Sequence, residues 1–121
     1  MLAYVTIGTN KKAEALAFYD AIAAELGAKR TFNNDRIQFY AGPQGVMFGV
    51  GTPADLGEAT VGNGVMPAFG AADKATVDRV YAKALALGGT DSGAPAQLME
   101  TFYGGYFRDL DGNRICVCKF G

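Results

Sequence analysis

YVTIGTNKKAEALAFYDAIAAELG (residues 4–27) and MPAFGAADKATVDRVYAKALALGG (residues 66–89) are equally long and align without a gap at a shift of 62 (66 minus 4). The shift pairs Gly8 with Gly70, Lys12 with Lys74, Ala13 with Ala75, Tyr19 with Tyr81, Ala24 with Ala86, and Gly27 with Gly89. In a chain this rich in Ala and Gly, identity alone is weak; the shared pattern is stronger. Each copy opens on an alternating strand, Leu2 to Ile7 or Val65 to Phe69, ended by a Gly. A polar residue placed to cap a helix follows, Asn10 or Asp73. Then come apolar residues at helical spacing, Leu16, Tyr19, Ile22, Leu26 and Val77, Val80, Ala84, Leu87. Gly27 and Gly88-Gly89 are placed to end these helices.

Outward from the two copies, each helix is followed by shorter strand patterns with turn signals between them. The first half has Ala28 to Phe32, Ile37 to Ala41 and Val46 to Val50; the second has Thr90 to Gly93, Tyr103 to Arg108 and Arg114 to Phe120. The Gly-rich stretch between the halves has no periodicity. The reading is one α+β domain over 1–121: a βαβββ module at 1–51, a crossover at 52–63 and a second βαβββ module at 64–121. Its strands form a cupped mixed sheet with the helices outside.

Composition narrows the function classes. The 121 residues are half hydrophobic and 19% charged, with formal net charge -1 and pI near 5.3. No broad positive field exists for phosphates or anionic lipid, so no nucleic-acid or membrane partner is expected. No apolar run nears the roughly 20 residues that span a bilayer, and Met1 leads directly into a strand pattern, which predicts a soluble cytoplasmic protein. Cys116 and Cys118 lie two apart in a strand, where a bridge demands a badly bent backbone. Free thiols in a reducing compartment are expected. The chain has no histidine, which excludes Ser-His-Asp and Cys-His devices outright.

The string Asp109-Leu110-Asp111-Gly112-Asn113 invites a calcium-loop reading, since oxygens at alternate positions can surround a hard cation. Counted from Asp109, however, the sixth position is Arg114 where the turn glycine belongs, and the twelfth is Phe120 where a bidentate Glu belongs. The string reads instead as a tight turn, with Asp side chains bonding local N–H groups and Gly112 supplying positive φ.

Taken together, YVTIGTN, AFYDAIAAELGA, VMPAFGA, KALALGG and FYGGYFRDLDGNRICVCKF resemble the vicinal oxygen chelate superfamily, the glyoxalase, bleomycin-resistance and extradiol-dioxygenase group. The resemblance covers nearly the whole chain. It implies a cupped sheet in each half, a small-molecule pocket within the cup, and a homodimer. In metal-using members a divalent ion is held by His or Glu on the first and closing strands of each module. By resemblance these positions fall on Tyr4, Met66 and Cys116, with the remaining one, by strand alternation, on Phe48. None is a carboxylate or an imidazole, so no metal and no cofactor are expected. The one exception in the chain's own residues is the thiol pair Cys116 and Cys118, two soft sulfurs on one strand face.

With Tyr, Phe, Met and Cys in place of charged ligands, the cup becomes an apolar, aromatic pocket. The expected lining is Tyr4, Thr6, Phe48, Met66, Ala68, Tyr103 and Cys116, with Arg36 or Arg108 at a rim to meet an anionic group. Simple core packing competes as an explanation for Phe48 and Met66. Tyr19 and Tyr81, at matching helix positions, are assigned to packing. Two functions follow: a metal-free protein that binds a small organic molecule unchanged, or a lactoylglutathione-lyase-like or dioxygenase-like enzyme with a displaced site. The second would use Tyr4, Glu100 or Asp109 for proton transfer. The feature that separates them is a carboxylate inside the cup.

Overall fold

A computed structural model describes residues 1–121. In chain order the elements are β1 (Tyr4–Gly8), α1 (Lys12–Glu25), β2 (Lys29–Asn33), β3 (Ile37–Ala41), β4 (Met47–Gly51), β5 (Ala68–Gly70), α2 (Lys74–Ala86), β6 (Thr90–Met99), β7 (Phe102–Arg108) and β8 (Arg114–Phe120). Two four-stranded mixed sheets result, ordered β1-β4-β3-β2 and β5-β8-β7-β6, so the chain is α+β with tandem βαβββ modules. In each module the first strand pairs parallel with the last, and the others pair antiparallel.

Side-chain alternation gives each sheet two faces. One face of both sheets joins the helices in a single apolar cluster: Ile7, Tyr40, Phe48, Val50, Phe107, Ile115 and Val117 meet Phe18, Tyr19 and Ile22 of α1 and Val77, Val80 and Ala84 of α2. At roughly 1.5–3 kcal/mol for each fully buried large apolar side chain, this shared core is the main force holding the modules together. The opposite face of each sheet is the cup face. Phe39, Cys116 and Cys118 are also buried, yet stand apart from that cluster because they point to the cup side.

Local differences from the sequence reading have physical causes. Asp73 caps α2, its Oδ1 accepting from the Thr76 N–H at 2.8 Å. Asn10 does not cap α1. Its side chain instead clamps the crossover, donating to the Ala59 carbonyl at 2.9 Å and accepting from the Ala59 N–H at 2.7 Å. No side chain caps α1: Lys11 is its N-cap residue, and the Thr9 Oγ1 accepts from the N–H of Lys11 itself. Strand β5 begins at Ala68, not Val65, because a turn at Gly62–Val65 precedes it and Pro67 has no N–H to pair. Strand β6 runs through Gly93 and Pro95 to Met99. As an edge strand with register shifts it tolerates both, since a missing N–H costs little where no neighbour waits for it.

The 109–113 turn is as expected: Asp109 Oδ1 accepts from the N–H groups of Asp111 and Asn113, and Gly112 has φ 91. The turn also does something its sequence did not announce. It docks on the first module, where Asp111 accepts from the Thr9 hydroxyl and the Asn10 N–H and Asn113 donates to the Gly8 carbonyl.

Candidate functional site

Register decides which side chains enter a cup. In the first sheet Tyr4 is opposite Met47, which is opposite Ala41, and Thr6 is opposite Gly49, which is opposite Phe39. These residues share the cup face. Phe48 is opposite Val5 and Tyr40 and so belongs to the helix face, where its ring lies 5.0 Å from Tyr19 and 4.9 Å from Phe69. The expected cup role of Phe48 is therefore corrected by one place of register: Met47 and Gly49 occupy the cup face of β4.

The cup of the first sheet is a cavity of about 760 Å³ lined by Tyr4, Thr6, Phe32, Arg36, Phe39 and Met47. Its far wall is the crossover, which adds Asp55 and Glu58. Glycine makes the floor possible. A Cβ on Gly49 would stand 2.8 Å from the Phe39 ring, and one on Gly51 would collide with the Arg36 carbonyl at 2.1 Å. Without a side chain at 49, Phe39 lies across β4 and meets Tyr4 edge-on at 5.3 Å, with Phe32 6.0 Å away on its other side. Tyr4 is 54% exposed and Phe32 59%, so two aromatic rings on either side of Phe39 are open to a ligand.

Polar groups flank that trough. Arg36 donates from Nη1 to the Thr52 carbonyl at 2.8 Å, tying the β3 end to the crossover. Asp55 is held by the Gly57 N–H, and Leu56 beside it has φ 62, a left-handed conformation costing a non-glycine residue about 1–2 kcal/mol.

The other expected residues go elsewhere. Phe48, Met66 and Ala68 line a separate cleft of about 620 Å³ between α1, the β3–β4 turn and the β5 region. None of its lining residues is charged, and its two phenols face away to carboxylates, Tyr19 to Asp109 at 2.6 Å and Tyr40 to Asp20 at 2.8 Å. Burial, the Asp109 carboxylate and the hydrogen bond to it hold the Tyr19 phenol well above its usual range.

Tyr103 is opposite Lys119 and lies on the helix face, donating to Asp78 of α2 at 2.6 Å with the Lys74 ammonium 5.6 Å from its ring. Its expected place in the cup is corrected; Tyr106, opposite Cys116, is the tyrosine on that side. Cys116 is 1% exposed and shares the second cup face with Ala68, Cys118 and Arg114. Burial, then the Cys118 thiol beside it, pushes the Cys116 thiol up to about 12.

Arg108 is also on this face, donating to the Gly112 carbonyl. Of the groups considered for proton transfer, Asp109 is buried and bound by Tyr19, and Glu100 is exposed at the β6–β7 turn. Neither enters a cup. The carboxylates that do, Asp55 and Glu58, arrive on a crossover whose sequence has no periodicity to show which wall it forms.

The donor set does not fit a hard divalent ion. Tyr4, Met66 and Cys116 offer one phenol, a thioether and a thiol, β4 offers Met47 or Gly49, and no three His, Cys, Asp or Glu residues gather anywhere.

Comparison with known proteins agrees with the fold. A glyoxalase/bleomycin resistance protein from Albidiferax ferrireducens T118 superposes with TM-score 0.91 at 34% identity, over 100% of this chain and 99% of that one. A glyoxalase/bleomycin resistance protein/dioxygenase family enzyme from Burkholderia phytofirmans PsJN gives 0.77 at 19% identity, covering 98% of both chains. Lactoylglutathione lyase from Agrobacterium tumefaciens gives 0.70 at 20% identity, covering 98% of this chain and 92% of that one. No family model matches the sequence, and no curated protein does. The chain belongs to the glyoxalase/bleomycin resistance family of the vicinal oxygen chelate superfamily.

Proposed function

We propose that this chain binds a small organic molecule in the cup of its first sheet and works there without a divalent metal ion. The aromatic row Tyr4–Phe39–Phe32, buried at its centre and exposed at both end rings, carries the reading. Planar or apolar ligands gain most from such rings, about 0.5–1.5 kcal/mol per aromatic contact beyond burial, and Arg36 and Glu58 at the rim supply orientation. That the relative from Albidiferax is a glyoxalase/bleomycin resistance protein supports including bleomycin among the ligands tried.

The test is equilibrium binding and thermal shift with bleomycin and a panel of planar aromatic acids and amines. A ligand that raises Tm in wild type, weakened roughly 2–10-fold by Tyr4→Ala or Phe32→Ala, supports the reading. Stoichiometric Zn, Ni, Mn or Fe in the purified protein, coordinated by Tyr4 or Met66, overturns it.

A second reading, an enzyme with a displaced site, is favoured by one observation: Asp55 and Glu58 bring carboxylates to the same cavity as the Tyr4 phenol. Conversion of a bound ligand that stops in Glu58→Gln but not in Asp78→Asn selects it.

We further infer a homodimer in the cytoplasm. Exposed Leu2, Val65, Leu98, Met99 and Phe120 support a second copy as their cover, and two free thiols support a reducing compartment. No helix is long and apolar enough to cross a membrane. Light scattering at twice the chain mass is the expected result.

A further inference from the structure

Cys116 and Cys118 are both buried on the second cup face, away from the apolar core and from the aromatic trough of the other sheet. Their α-carbons, two residues apart on a strand, lie about 6.6 Å from each other. Their β-carbons run parallel at a similar distance, too far for a disulfide. Strand alternation nevertheless puts both thiols next to one another on the same face of β8, with Tyr106 opposite Cys116 on β7. Three of their four neighbours across the sheet are small, Ala68 beside Cys116 and Gly70 and Gly104 beside Cys118, and the fourth is Tyr106 beside Cys116. No carboxylate or amide stands at those four flanking positions to compete for a cation.

A positive charge borders the pair. The Arg114 guanidinium lies 4.6 Å from the Tyr106 ring centroid, donating to Ser92 Oγ and to the Met66 sulfur, each at 3.0 Å. Met66, 36% exposed, marks the solvent side of this arrangement.

We propose that Cys116 and Cys118 form a two-coordinate site for a soft monovalent cation of the copper(I) type, with Arg114 balancing the charge. Two thiols side by side but not bridged suit a linear S–metal–S unit, because soft thiolates select copper(I) where hard oxygens are lacking. The step balances without redox change: two S–H bonds break, two metal–sulfur bonds form, and two protons leave for solvent. The complex carries one negative charge, which the guanidinium offsets. This site is independent of the cup ligand proposed above.

The reduced, folded protein is titrated without oxygen against the copper(I)–bicinchoninate complex. The expected result is one equivalent withdrawn per chain, with a copper K-edge spectrum showing two sulfur neighbours. Arg114→Gln is expected to weaken binding about 10–100-fold, as loss of an outer partner does at other metal sites. Cys116→Ala and Cys118→Ala, checked by circular dichroism to be folded, are each expected to lose the tight equivalent, while Tyr4→Ala keeps it. No copper withdrawn by folded wild type, nitrogen or oxygen neighbours in its spectrum, or undiminished binding in a folded cysteine variant each overturns the proposal. The spectrum of wild type decides the matter even if both cysteine variants fail to fold.

Discussion

The Tyr19 phenol, on α1, donates a 2.6 Å hydrogen bond to Oδ2 of Asp109, which sits in the β7–β8 turn of the other module. The same carboxylate accepts from the N–H groups of Asp111 and Asn113 and from the Asn113 amide, so all its partners are protein groups away from solvent. Tyr19→Phe removes one donor and leaves a buried charge less satisfied. The expected cost is about 1–3 kcal/mol in urea unfolding, with ligand binding in the first cup unchanged. A loss below about 0.5 kcal/mol, the range of ordinary surface changes, would show the bond to be incidental.

Alkaline pH should weaken the fold through phenols. Tyr19 is held far above its ordinary range, first by burial, and Tyr40 is also raised, first by burial and then by its bond to Asp20. In the unfolded chain both ionise near pH 10, while in the folded chain both keep their protons to higher pH. Their contribution is therefore fully present below about pH 10 and is lost as pH rises from there through the folded-state values. Unfolding free energy measured from pH 8 to 11 should fall beyond 10, and the slope should flatten in Tyr19→Phe. A slope unchanged by that substitution contradicts the assignment.

Phe48 and Tyr4 are on neighbouring strands but opposite faces, which separates stability from binding. Phe48, packed between Tyr19 and Phe69, should lose about 3–5 kcal/mol on truncation to Ala. Tyr4→Ala, at an exposed ring, should leave Tm nearly unchanged and weaken the cup ligand. Equal effects of the two on Tm, read by calorimetry, would return Phe48 to the cup.

The fold was legible because repetition and period are local: the shift of 62 and the two helical spacings need no knowledge of contacts. Face assignment was legible only where a strand boundary was firm. Thr6 and Tyr4 were placed on the cup face, but a strand beginning at Val46 in the pattern begins at Met47 in the structure, and a one-residue slip sends every side chain to the other face. Tyr103 failed for another reason. A tyrosine in an alternating strand satisfies its hydroxyl equally well on either side, and Asp78 on α2, 25 residues earlier, was its partner. The carboxylates of the crossover were illegible altogether, since their position depends on Asn10 clamping Ala59 from 49 residues away.

Gly49 should be the most demanding position of the cup. A methyl there would meet the Phe39 ring at 2.8 Å and Ile37 Cγ2 at 3.0 Å, distances at which something must move. The ring can yield only by leaving the space between Tyr4 and Phe32, so Gly49→Ala should cost about 1–3 kcal/mol of overpacking and also weaken the cup ligand. Placed in a Phe39→Ala background, the same substitution meets only Ile37 Cγ2 and should cost less stability than in wild type. The coupling between the two positions, obtained from the four unfolding free energies, is expected to exceed about 0.5 kcal/mol. Simple additivity would mean that the Phe39 ring does not depend on the bare backbone at 49, and the trough would need another explanation.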